Sequence, residues 1–228
     1  MIPLRQEIKE SAKSAMKAQW GTSIGTLLFI MLVSMIIGLV VRPFILTNPH
    51  SFGALFVNML NMLLVNLATA LVVMPLSVNA NGIFIKVFLC EPARVGELLS
   101  NFQFNYLRKI GGMLWMGLLT LLWSLLLVIP GIVKGLSYSM TPYILADCPN
   151  VTATEALKLS MRMTDGHKME LFILGLSFIG WFLLSTFTFG ILAIVFVNPY
   201  IATSLAGYYV ELKQKALATG VISYAELI

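Results

Sequence analysis

Charge is what this chain has least of. Lysine, arginine, aspartate and glutamate make up 11% of its 228 residues, where a soluble domain carries about a quarter. Hydrophobic residues reach 58%. A soluble fold of this length cannot hide so much apolar surface, so lipid must cover part of it. Cysteine is scarce as well. Cys90 and Cys148 form no metal-type cluster and imply no disulfide framework. Both fall on the side assigned below to the cytoplasm, where free thiols are expected. Histidine occurs only twice. There is no HxxxH, no CxxC and no paired-carboxylate motif, and Ser137 and Ser139 lack the G-x-S-x-G context of a hydrolase. A non-enzymatic chain without a cofactor or metal is expected. No polar stretch is long enough for a separate soluble domain, and no internal repeat or low-complexity tract is visible. The first apolar run starts only near Gly21 and lacks a small-residue cleavage site, so it reads as a retained signal anchor.

Long apolar runs are what the chain has instead. They predict an all-α, polytopic helical membrane protein: one domain over 1–228, about six transmembrane helices, and short amphipathic cytoplasmic helices. The expected spans are 21–41, 52–76, 110–129, 131–146, 171–187 and 190–212. The fourth has 16 residues, about 24 Å of helix. That is short of the ~30 Å hydrocarbon core, so it begins inside protein, thins the bilayer or is partly re-entrant. Pro142 adds an expected kink there. Pro75 should kink or end the second span, leaving 77–82 irregular and 83–89 as a short interfacial segment. The 42 residues from Leu171 to Leu212 should fold as two spans that turn at Thr186, Thr188 and Gly190. Asn198-Pro199-Tyr200 should break the last one.

Orientation follows from the basic residues. With six spans the termini share a side with loops 77–109 and 147–170, and those segments hold 13 of the 15 lysines and arginines. Arg42 and Lys134 are the two elsewhere. The positive-inside rule then places both termini in the cytoplasm. The net charge of +5 sits in short segments between apolar runs. It therefore points to anionic lipid headgroups rather than nucleic acid. Within 1–20, Arg5, Lys9, Lys13 and Lys17 are spaced by four, with Leu4, Ile8, Ala12, Ala15 and Met16 on another face. This is a basic amphipathic helix able to lie among headgroups, with Trp20 as an interfacial aromatic, or simply the positive flank of the first span.

Few residues suggest chemistry. Asn58, Asn61 and Asn66 lie near one face of the second run. They either hydrogen-bond a neighbouring helix or line a wet cavity. Lys134, if deep, needs a functional contact; if the span is short, it snorkels outward. Asp147, His167, Lys168 and Glu170 fall near membrane boundaries, a weak signal for a metal or acid–base site. Thr152-Ala-Thr-Glu155 is a capping box opening a helix over 152–165. Glu155, Lys158, Arg162 and Asp165 form its polar stripe, and Ala156, Leu157, Met161 and Met163 its apolar side. It serves as a connector or as a docking surface for lipid phosphates or a partner protein. Gly21-xxx-Gly25 and Gly131-xxx-Gly135 permit close helix approach.

The segments IPGIVKGLSYSMTPYILAD (129–147), ATEALKLSMRMTDGHKMELFILGLSFIGW (153–181), GILAIVFVNPY (190–200) and AGYYVEL (206–212) resemble the bacterial integral-membrane family called domain of unknown function 975. The resemblance implies a multi-pass membrane protein. It brings no activity and no catalytic residues. The leading expectation is a non-enzymatic protein at the cytoplasmic lipid interface, in envelope homeostasis or as a scaffold. The alternative is a small transporter or channel for a hydrophobic or cationic solute.

Overall fold

The computed structural model describes residues 4–41, 52–100 and 102–227. They form an all-α fold. The elements are α1 (Leu4–Ala18), α2 (Trp20–Val41), α3 (Phe52–Phe88), α4 (Glu97–Ser100), α5 (Tyr106–Leu126), α6 (Val128–Tyr138), α7 (Thr141–Asp147), α8 (Ala153–Thr164), α9 (Lys168–Leu176), α10 (Ile179–Thr186) and α11 (Asn198–Ala218). A π-helical turn at Ala193–Val197 leads into α11, and a 3-10 turn at Tyr224–Glu226 follows α11. Arg42 and the polar segment with Asn48, Pro49 and His50 lie outside the described residues.

Five helical segments are long and apolar enough to cross a membrane: Trp20–Val40, Leu55–Phe88, Tyr106–Leu126, Lys168–Thr186 and Ala193–Ala218. The expected span 131–146 is not among them. It is two short helices, α6 and α7, broken at Ser139–Met140 just ahead of Pro142. They nevertheless return along α5 as one piece. Leu127, with extended backbone, reverses the chain. A methyl group at Gly131 would overlap Ser124, Gly135 faces Thr120, and Gly112 faces Leu145. Arg108 then meets Cys148 at the far end. These pairs step evenly, as in a continuous antiparallel helix pair. Gly131-xxx-Gly135 is what lets α6 lie so close to α5.

The break is sealed from α8. The Ser160 hydroxyl accepts the Met140 N–H (3.2 Å) and donates to the Ser137 carbonyl (2.7 Å). Both groups are orphans of the interrupted helix, and Ser160 is fully buried. Ser160→Ala should therefore destabilise the fold by about 1–3 kcal/mol. Ser160→Thr, which keeps the hydroxyl, should lose less. Thermal melts of the two variants in one detergent check the order.

Two further expectations change. Pro75 does not end its helix: α3 runs 37 residues with Pro75 inside. Proline cannot donate to the carbonyl four residues back, Leu71. The Tyr106 hydroxyl donates to that carbonyl instead, at 3.0 Å. Residues 77–88 are consequently regular helix, with Leu76, Val78, Ile83, Phe84 and Val87 in the core. The helix over 1–20 also does not lay its apolar face on lipid. Ile8, Ala12, Ala15 and Met16 are buried within the protein, where α1 packs against α11 and α3. The same apolar spacing suits a bilayer or a neighbouring helix, and here the neighbour takes it. The turn expected at Thr186, Thr188 and Gly190 is present, with positive φ at Phe189 and Gly190. The break expected at Asn198-Pro199-Tyr200 does not occur: the helix runs through these residues into α11, with a π-helical turn at Ala193–Val197 just before them.

Burial divides the molecule. The core gathers α1, residues 76–87 of α3, α7, α8 and α11. The remaining lengths of α2, α3, α5, α6 and α10 expose leucine, isoleucine, methionine and phenylalanine on several sides. That is the pattern of a packed base carrying helices solvated by acyl chains.

Candidate functional site

A cleft of about 440 Å³ opens at the base between α3, α5 and α7. Its polar lining includes Asn79, Lys86, Glu97, Arg108, Lys109 and Asp147. Lys109, buried in the first turn of α5, donates to Asn79 Oδ1 at 2.6 Å. Asn79 Nδ2 in turn donates to the Leu98 carbonyl at 2.9 Å, tying α4 to α3. Lys86 and Glu97 pair at 2.7 Å across the rim. Arg108 spreads its guanidinium over three carbonyls at the end of α7: Leu145 (2.5 Å), Cys148 (2.9 Å) and Val151 (2.6 Å). Leu145 lies four residues before Pro149, so it has no backbone donor of its own.

Of the residues singled out from the sequence, Asp147 alone lines this cleft. Its carboxylate accepts the Tyr209 hydroxyl (2.7 Å) and the Lys213 ammonium (2.5 Å). Glu170 is held instead by Tyr208, at 2.9 Å, with His167 Nδ1 at 3.6 Å. Asp147 and Glu170 thus belong to separate tyrosine clamps on α11, and no hydrogen bond joins them among the described residues. Lys168 pairs at 3.4 Å with Asp165, one turn back. These contacts fasten α7 and α9 to α11. His167 approaches Glu170 but not Asp147, and no cluster of three metal-type ligands occurs among the described residues.

Lys134 sits over the Trp123 ring on α5, 5.0 Å from its centroid, a cation–π contact close to the α5–α6 turn. Asn66 bonds the Met62 carbonyl of its own helix at 2.7 Å rather than a neighbouring one. Asn58 and Asn61 are half-buried farther along α3. None of these four lines the cleft. Cys90 is an exposed free thiol and Cys148 a buried one. Burial, then the neighbouring Asp147, pushes the Cys148 thiol up.

The basic face of α1 is sorted by depth. Lys13 and Lys17 are exposed; Arg5 and Lys9 are half-buried. Those two, with Gln6, line a groove of about 400 Å³ shared with Ile173, Leu176 and Ser177 of α9 and its cap. Lys9 Nζ donates to Ser177 Oγ at 3.1 Å and lies 5.0 Å from the centre of the Phe178 ring.

The capping box of α8 forms as expected. Thr152 accepts the Glu155 N–H and the Glu155 carboxylate accepts the Thr152 N–H. The Thr152 hydroxyl also donates to the Glu155 carboxylate at 2.6 Å, and this bond, followed by the one from the Thr152 N–H, holds the Glu155 carboxyl below its ordinary value. Ala156, Leu157 and Met163 are buried, and Met161 is half-buried. The polar side is partly taken by the chain's own tail. Arg162 binds Glu226 at 2.5 Å and also donates to the Val221 carbonyl. The Arg162 bond, helped by the Ser223 N–H, depresses the Glu226 carboxyl. Its contribution is therefore complete above the free glutamate value of ~4.3 and is lost as pH falls through the depressed one. A nitroxide at Tyr224→Cys, in a Cys90→Ser background, should stay immobile through pH ~4.3 and loosen only below it. Arg162→Gln should free it already at neutral pH. Mobility that rises at the ordinary glutamate value would contradict the contact.

Arg108, Lys109 and Asn79 carry the cleft, yet nothing singled them out in advance. Arg108-Lys109 looks like an ordinary basic flank of an apolar run, and Asn79 like part of an irregular loop. The Tyr208-Tyr209 pair facing two acids was the findable signal, because adjacent helical residues point about 100° apart.

A packed base, apolar helices exposed around it and five segments of spanning length define a multi-pass α-helical membrane protein. The chain belongs to the family described as "Protein of unknown function (DUF975)", whose model matches residues 44–216. No curated protein and no solved structure matches it.

Proposed function

We propose that this is a non-enzymatic protein of the bacterial cytoplasmic membrane that works at the inner lipid interface. Both termini and the charged base face the cytoplasm, and the partners are anionic headgroups. The observation that carries this is the seating of α1. Its apolar face is locked into the bundle, so Arg5, Lys9, Lys13 and Lys17 form a fixed basic edge. A preformed edge holds lipid phosphate without the ordering entropy that a free amphipathic helix would lose. The acids Asp147 and Glu170 are engaged in clamps between helices, which favours a structural role over catalysis. Transport would need Lys134 and the asparagines at a shared cavity, and they are dispersed. A partner protein docking on α8 would meet exposed Glu155 and Lys158, and would have to displace the tail from Arg162.

The test is the melting temperature of the full chain in nanodiscs of phosphatidylglycerol against phosphatidylcholine. A higher value in the acidic lipid is expected, with the difference shrinking at high salt. Equal melting in both, at low salt, would end this proposal.

A further inference from the structure

The groove between α1 and α9 has the features of a lipid seat. Arg5 and Lys9 stand one helical turn apart on one wall. No carboxylate lies within ion-pair distance of either among the described residues; Glu7 and Glu10 on the same helix are exposed. The opposite wall is Ile173 and Leu176. It continues outward into Met169, Phe172, Leu176 and Ile179, all exposed, on the outer side of α9 and α10. Cations therefore stand at the edge of an apolar strip that faces acyl chains. Ser177 adds a hydroxyl, within reach of Lys9. Lys9 is itself shifted down, first by burial and then by Arg5, as expected for a cation pair lacking a fixed counter-charge.

We infer that this groove binds a single acidic glycerophospholipid, its phosphate between Arg5 and Lys9 beside Ser177 and its acyl chains running on from there along the exposed Ile179, Phe182 and Leu183 of α10. The inference rests on the lipid-interface function proposed above and narrows it from a basic edge to one site. Lys13 and Lys17 attract the anionic surface as a whole. Arg5 and Lys9 hold one molecule. A guanidinium and an ammonium with apolar backing suit a phosphodiester attached to chains better than a free ion.

Native mass spectrometry of the full chain, released from nanodiscs of equal phosphatidylglycerol and phosphatidylcholine, reads the site directly. One tightly retained phosphatidylglycerol is expected. Arg5→Gln/Lys9→Gln should weaken its retention by about tenfold or more, since two charge-assisted contacts are lost. Lys13→Gln/Lys17→Gln should change it by about twofold at most, as exposed charges do. Ile173→Trp keeps both cations but fills the groove, and should displace the lipid while the protein still melts cooperatively. Inorganic phosphate, added to the detergent-solubilised chain, should neither compete nor stabilise. Retention that survives Arg5→Gln/Lys9→Gln, or that falls equally with Lys13→Gln/Lys17→Gln, overturns the site and leaves the broader function standing. Protection by inorganic phosphate equal to that by lipid would overturn the lipid assignment. Absence of any acidic-lipid preference in the unaltered chain would remove both.

Discussion

Arg108→Met should destabilise the fold by about 3 kcal/mol or more, because three charge-assisted hydrogen bonds to carbonyls are lost at once. For a chain of this length that is a fall in melting temperature of about 6–12 °C. Methionine keeps the straight apolar stem, so the loss reports the guanidinium rather than packing. The carbonyls of Leu145, Cys148 and Val151 lie where α7 has ended, and Pro149 supplies no N–H to Leu145. Arg108→Lys separates charge from shape. One ammonium cannot reach three carbonyls held by a planar fork, so it should recover only part of the loss. Melting of Arg108→Met within about 2 °C of the unaltered chain would mean that those carbonyls find other donors. The same substitution should disturb the cleft, since Lys109 and Asn79 sit beside Arg108 in its lining.

The contrast between Arg108 and Thr152 shows what could be read before the structure. A capping box is local: donor and acceptor lie three residues apart, so the spacing alone implies both bonds. The α-helical class and the turn near Gly190 were similarly legible, because apolar run lengths and glycine positions carry them. Arg108 acts on residues some forty positions away, and its sequence context is that of any span flank. The docking of α1 was hidden for another reason. An amphipathic pattern states that one side avoids water but does not say what replaces it. The return of α6 and α7 along α5 fell between these cases. Its brevity was visible in the residue count. The buried Ser160 that lets it break without orphaned groups was not, since serine in a helix usually faces solvent or its own backbone.

The prolines bring these strands together. Two of them strip a carbonyl of its helical donor and a third, Pro199, follows a π-helical turn where the ladder shifts register; beside each, a side chain from another element donates to a carbonyl. Tyr106 donates to Leu71 ahead of Pro75, Arg108 to Leu145 ahead of Pro149, and the Trp20 indole to Val195 ahead of Pro199, at 3.1 Å. An unpaired carbonyl is costly where water is excluded, so these donors decide whether the proline is tolerated. Tyr106→Phe should therefore destabilise the fold by about 1–3 kcal/mol, and Trp20→Phe by a similar amount. The two sites are independent, and the double variant should lose roughly the sum. The decisive background is Pro75→Ala. Alanine restores an N–H that can bond Leu71 within α3, and the Tyr106 hydroxyl then becomes redundant. Tyr106→Phe should be nearly neutral there, giving a coupling of about 1 kcal/mol or more between positions 75 and 106. Equal penalties in the proline and alanine backgrounds would show that the hydroxyl acts through some other contact. A vanishing penalty would establish that this chain keeps proline in its long helices by borrowing donors across helix boundaries.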